Sequence, residues 1–302
     1  MMEEPPGHDA RQETPQTSAF SPMFRLASYI AAVIIAMIAA GMILLLTNAN
    51  LDLTSGKKLP LFATAIVETL IALAVVPITL FFVKYLDKRP VDTFGFAKRG
   101  TWGRELRLGI ALGCIFQLLI FGVSYYAGWI KITGSLFDEP LSRVAGVMIG
   151  TLVLMISVAV LEETIFRGYI LQTLEERFGP VSALIVSSLV FGLIHLLNPG
   201  ATFAAFLGTL AAGLFIGYTY LVTRRLWLPI GFHFAWNFVQ GPILGFPVSG
   251  IDIAGWIQQK TVNMPVWLGG EFGPEAGLFD IFVLLLGTII VWRFAKTAYR
   301  PN

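Results

Sequence analysis

Apolar runs near the length of a bilayer crossing constrain this chain more than any other feature. The first, LASYIAAVIIAMIAAGMILLLT, occupies residues 26–47. A crossing helix needs about 20 mostly apolar residues, whereas the apolar core of a cleaved signal is roughly 7–15, so this run reads as a first membrane helix. Seven more follow at 60–84, 106–127, 144–172, 181–197, 202–222, 226–242 and 278–295. The fifth and seventh are short for a full crossing. Hydrophobic residues make up 56% of the 302 and charged residues only 13%, about half the roughly 25% of soluble domains. The expected fold is all-α, a polytopic membrane bundle of about eight transmembrane helices.

Residues 1–24 are polar and proline-rich and read as a disordered cytoplasmic tail. Residues 25–143 hold the first spans and a basic segment from Lys84 to Arg107 suited to anionic lipid. Residues 144–242 carry the polar motifs, and 243–302 form an extracytoplasmic loop and the last helix. In that loop Trp256 and Trp267 suit the membrane interface. With eight crossings, all but five of the 21 lysines and arginines fall on the side of the termini; the five are Lys57, Lys58, Lys131, Arg143 and Lys260. Positive charge favours the cytoplasm, so both termini are expected there, at the plasma (inner) membrane if the host is bacterial. A net charge of +2 gives no footprint for nucleic acid, and the single cysteine, Cys114, excludes an intramolecular disulfide and a multi-cysteine metal site. Nothing in the sequence sets an oligomeric state.

Ionisable side chains inside spans cost roughly 2.5–3.5 kcal/mol each and face inward or toward water. Here they are Glu68, Glu162, Glu163, Arg167, His195 and His233. Counted along straight rods at 1.5 Å per residue, Glu162 lies about 18 Å from the cytoplasmic end, His195 about 21 Å, His233 about 10 Å and Asn237 about 16 Å. Glu163 and Arg167 are four apart and share a helix face, as do Phe191 with His195 and His233 with Asn237. Glu162 points about 100° from Glu163, toward another neighbour. A carboxylate beside an imidazole can take a proton from water, and an imidazole with an amide can donate to an oxyanion. These are the parts for hydrolysing a peptide bond within a membrane. Against this stand plainer readings: a structural Glu163–Arg167 ion pair, Phe191 as packing around the site, a structural or interfacial Glu68, and close helix packing by the small-residue run from Gly208 to Gly217.

EETIFR, FGLIH and HFAWN, in that order on three spans between about residues 144 and 242, resemble the E-E-x-x-x-R, F-x-x-x-H and H-x-x-x-N motifs of the CPBP family of intramembrane proteases. That family contains the CAAX prenyl endopeptidases and bacteriocin-processing or immunity proteins (Abi-type). The resemblance implies a helical bundle whose cavity is reached from the cytoplasm and the bilayer. By motif, Glu162 would be the general base and His195 would position water. Glu163 and Arg167 would order the site, and His233 and Asn237 would stabilise the oxyanion. The substrate would be a membrane-associated protein or peptide, CAAX-type by family habit. No cofactor is favoured. Zinc is the alternative, with Glu162, His195 and His233 as its ligands, but the depth gap and the poor zinc chemistry of an amide argue for a metal-free site. The rival functions are a non-catalytic immunity or scaffold relative and a transporter using Glu162 and His195 as a proton relay.

Overall fold

Each of the eight apolar stretches forms a helical rod, and glycine and proline decide where the rods break. The computed structural model describes residues 18–47, 61–98, 100–136, 139–262 and 266–298. The expected tail lies largely outside them; helix α1 begins at Pro22 and ends at Thr47. Helix α2 (Leu61–Phe81) runs into a π-helical turn, Phe82–Leu86. Next come α3 (Trp102–Tyr126) and α4 (Leu141–Glu163). A second π-helical turn, Thr164–Ile170, joins α4 to α5 (Leu171–His195). Gly179, at φ 78° and followed by Pro180, breaks α5 in two, because the left-handed region suits glycine and Pro180 has no N–H to continue the ladder. Helices α6 (Phe203–Thr223), α7 (Trp227–Phe238, with a π-helical turn to Ile243) and α8 (Leu278–Ala298) complete the bundle.

Among the described residues, six helical segments are long and apolar enough to cross a membrane: α1, α2 with its π turn, α3, the joined α4–α5, α6 and α8. The chain is an integral membrane protein with an all-α polytopic bundle. Helix α7, at 12 residues, rises only about 18 Å against a hydrocarbon core of about 30 Å.

Two strands, β1 (Ile130–Ser135) and β2 (Ile257–Thr261), pair antiparallel with Lys131 opposite Lys260. The sequence places β2 in the extracytoplasmic loop and assigns no element to β1. Neither short strand carries a sustained alternation, and the pairing depends on a partner far along the chain. The pair ties the α3–α4 connection to the segment before α8. At the opposite end of α3, charged groups collect. Asp87 accepts from Arg25, from Tyr169 Oη (3.1 Å) and from Arg89 (3.4 Å). Arg25 also binds Glu176, Arg225 binds Glu105, and Arg224 holds Glu175 through two bonds of 2.6 and 2.8 Å.

Glycines set the closest helix contact. A Cβ on Gly109 or Gly113 of α3 would sit 2.4 Å from Leu228 O or 2.7 Å from Trp236 N of α7, and one on Gly231 of α7 would sit 2.6 Å from Leu106 O. Small residues four apart let backbones touch where lipid gives no hydrophobic drive. This seam fixes the rotation of α7 and turns its His233–Asn237 face to the interior. The α6 glycines also pack closely: a Cβ on Gly213 would lie 3.0 Å from Ser188, and one on Gly217 would lie 2.5 Å from Leu184.

Candidate active site

The motif EETIFR straddles the end of α4 and the π-helical turn. Glu163 is fully buried, and its Oε1 binds both Arg167 Nη1 at 2.8 Å and His233 Nδ1 at 2.7 Å. Arg167, 1% exposed, also donates to the Gly213 carbonyl (3.3 Å) and lies 4.5 Å over the Phe191 ring, a cation–π contact in a dry setting. Glycine follows Arg167 because a Cβ on Gly168 would come within 2.3 Å of the Phe94 ring.

Glu162, one residue earlier, faces the other nitrogen of the same imidazole. Its Oε2 is 3.8 Å from His233 Nε2, beyond hydrogen-bond range, and has no hydrogen-bond partner although buried. His195 closes α5; its Nδ1 lies 2.8 Å from Phe191 O. Since a carbonyl only accepts, Nδ1 carries the hydrogen and Nε2 is left to accept in the neutral ring. The Phe191 ring stands 4.4 Å from the His195 ring and 6.5 Å from that of His233, edge-on to the latter. It also packs edge-on against Phe166.

Glu162, Phe191, His195, His233 and Asn237 line one cavity of about 290 Å³; Glu163 and Arg167 sit behind its wall. Two details differ from the sequence reading. The rod count separated His233 from His195 by about 10 Å of depth, yet both border the same cavity. Straight parallel rods overstate such gaps, because α5 breaks at Gly179 and side chains reach several ångström. The two glutamates were also assigned different neighbours, whereas both address His233. An imidazole has nitrogens on opposite edges and can span adjacent carboxylates that diverge by 100°.

The cavity has walls that the motifs do not supply. Thr64 and Glu68 of α2 line it, as do Val248, Ser249, Ile251, Ile253 and Glu275 from the segment drawn as an outer loop. Glu68 carried a signal, the cost of an intramembrane carboxylate. Glu275 carried none: within GPEAG it reads as an ordinary solvated loop acid.

Among the described residues no group of three or more His, Cys, Asp or Glu side chains is arranged to hold a metal ion.

The family model described as "Type II CAAX prenyl endopeptidase Rce1-like" matches residues 144–239. The Bacillus subtilis (strain 168) protein named "Putative membrane peptidase YdiL" is 25% identical over 186 residues, covering 61% of this chain and 72% of that protein. The matched segment runs from α4 to the start of the last π-helical turn and carries all three motifs. With their side chains gathered at one cavity, these matches support a likeness of the segment 144–239 to the CPBP family of intramembrane proteases.

Proposed function

We propose that the chain is an intramembrane endopeptidase that hydrolyses a peptide bond of a membrane-associated, CAAX-type protein or peptide, using water activated by side chains alone. The observation that carries this reading is the position of His233 between two adjacent glutamates. Glu163 fixes one nitrogen, and Glu162 stands beside the other with an unpartnered oxygen in a cavity wall.

Glu162 is the base. Its free oxygen accepts a proton from water held against it and against His195 Nε2, which the Phe191 carbonyl leaves as an acceptor. The hydroxide equivalent adds to the scissile carbonyl. The resulting oxyanion takes hydrogen bonds from Asn237 and from His233 Nε2–H, and Glu163 balances the charge that His233 carries when both its nitrogens are protonated. Arg167 holds Glu163 in place and is itself held by Phe191 and Gly213. The surrounding apolar wall strengthens these interactions by excluding bulk water.

The test is cleavage of a peptide library and of a lipidated CAAX-type peptide by detergent-purified protein. Glu162→Gln keeps the side chain's shape but cannot take a proton, so turnover falls by roughly 10²–10⁴-fold while thermal unfolding is unchanged. Activity survives chelation and dialysis; loss on chelation with recovery on added zinc overturns the metal-free reading. The orientation, with termini in the cytoplasm, is tested in a Cys114→Ser background. A cysteine replacing Lys131 reacts with an impermeant reagent from outside, and one replacing Lys98 only after permeabilisation; the opposite pattern sinks it.

A further inference from the structure

Amide hydrolysis also needs a proton for the departing amine, and among the motif residues Glu162 carries one only after taking it from the attacking water. Arg167 is committed to Glu163, and His195 has its one hydrogen on the Phe191 carbonyl. Glu275 reaches the cavity from the short 3₁₀ turn Pro274–Ala276, outside the matched segment. It is 7% exposed. Both of its hydrogen bonds fall on Oε2, from Ser249 N (2.6 Å) and Ser249 Oγ (2.8 Å). Ser249 is held for this task at φ 46°, a conformation that is uncommon for a residue other than glycine. Its carbonyl is tied down by Asn198 Nδ2 at 3.0 Å.

Glu275 is buried among titratable groups from several helices. The groups facing it are His195 of α5 and His233 of α7, and Asp280 of α8 lies within electrostatic reach. Asp280 is 1% exposed and neither of its oxygens has a hydrogen-bond partner. Glu68 and Glu162 add two more carboxyls to the same cavity. Of the two imidazoles, His233 is already shared between Glu162 and Glu163. Burial pushes the Glu275 carboxyl above its ordinary range, against the pull of the Ser249 bonds and the histidines. A neutral carboxyl that accepts two bonds on Oε2 carries its hydrogen on Oε1.

We propose that Glu275 is a further catalytic residue: a neutral carboxylic acid whose Oε1 proton passes to the amine leaving group. This rests on the endopeptidase reading above. Water gives one proton to Glu162 as its oxygen bonds to the carbonyl carbon. When the tetrahedral adduct collapses, the C–N bond breaks, its electron pair stays on nitrogen, and Glu275 protonates that nitrogen. The products leave as a carboxylic acid and a free amine. Glu162 then returns its proton to Glu275 through water, which restores both groups.

Glu275→Gln separates this role from positioning, since the amide oxygen still accepts from Ser249 and the NH₂ still donates into the cavity, but no proton can be transferred. Purified protein is assayed on a peptide amide and on the matching ester with a nitrophenolate leaving group, which departs without a proton. The expected result is an amide rate lowered by roughly 10²-fold or more, with a loss on the ester at least ten-fold smaller. Equal losses on both substrates, or an undiminished amide rate, overturn the proposal. A second measurement is the infrared spectrum: wild-type protein at pH 7 shows a protonated-carboxyl C=O stretch that shifts on ¹³C-labelling of glutamate and is lost in Glu275→Gln, and absence of that band, or its survival in Glu275→Gln, overturns the proposal. Wild-type protein that cleaves neither substrate refutes the endopeptidase reading instead, while the infrared result still reports on Glu275.

Discussion

Two buried ion networks in this molecule use the same residue types and differ in what they leave unpaired. At the charged end of the bundle, Asp87 is surrounded by Arg25, Arg89 and Tyr169, so both its oxygens accept; the atoms left over are donors, Arg25 Nε and Arg89 Nε. At the cavity wall, Glu163 is shared by Arg167 and His233, and the atoms left over are acceptors, one oxygen each on Glu162 and Glu163. A cluster that only joins helices gains by filling its carboxylate, as around Asp87, because an orphaned buried acceptor costs about 1–3 kcal/mol. One that prepares chemistry keeps a carboxylate oxygen free to take a proton. On the proposed reading, the difference marks the cavity cluster as the site and the Asp87 cluster as a staple.

The largest effect expected from breaking this contrast is in the site. Glu163→Gln removes the charge that compensates Arg167 and His233 together. Leaving a buried partner uncompensated costs about 3–5 kcal/mol, and His233 loses its anchor, so unfolding in detergent shifts and peptide cleavage falls in the protein that remains folded. Asp87→Asn strands Arg25 and Arg89 in the same way and lowers stability by a similar 3–5 kcal/mol. The folded fraction nevertheless cleaves at the wild-type rate, because Asp87 touches no cavity residue. Normalising cleavage to folded protein distinguishes the two; a fall in specific activity for Asp87→Asn would dissolve the contrast.

This distinction was only partly legible in the sequence. Apolar length gave the rods, and the four-residue spacing of Glu163 and Arg167 gave one ion pair. The union of Glu163 with His233 was not legible, since it depends on the α3–α7 glycine seam that sets the rotation of α7 and on packing of α4 beside it. Nor was the role of Asp87 as a junction: its partners Arg25 and Tyr169 come from α1 and from the π-helical turn after α4, and no local pattern relates them. Glu68 was visible as an expensive charge without an address. Glu275 and Ser249 were invisible, because a loop folded back against the helix ends looks in sequence like a loop in water.

A third ion pair supplies the small end of the scale. Arg224 and Glu175 make two hydrogen bonds of good length, and by bond count the pair resembles the buried networks. Its setting is different: the Arg224 side chain is 55% exposed and that of Glu175 20%. Water replaces most of what the pair loses when broken, and side-chain entropy offsets part of what it gains when formed, so exposed pairs contribute about 0.2–1 kcal/mol. The Arg224 guanidinium, already held charged by its bond to Glu175, stays charged and solvated without it. Glu175→Gln therefore lowers stability by no more than about 1 kcal/mol and leaves cleavage unchanged. Because the Debye length falls from about 10 Å at 0.1 M to 3 Å at 1 M salt, even that small difference between wild type and variant shrinks at high salt, whereas the Asp87→Asn difference persists. A loss for Glu175→Gln as large as that for Asp87→Asn would mean that burial is not what separates the two pairs.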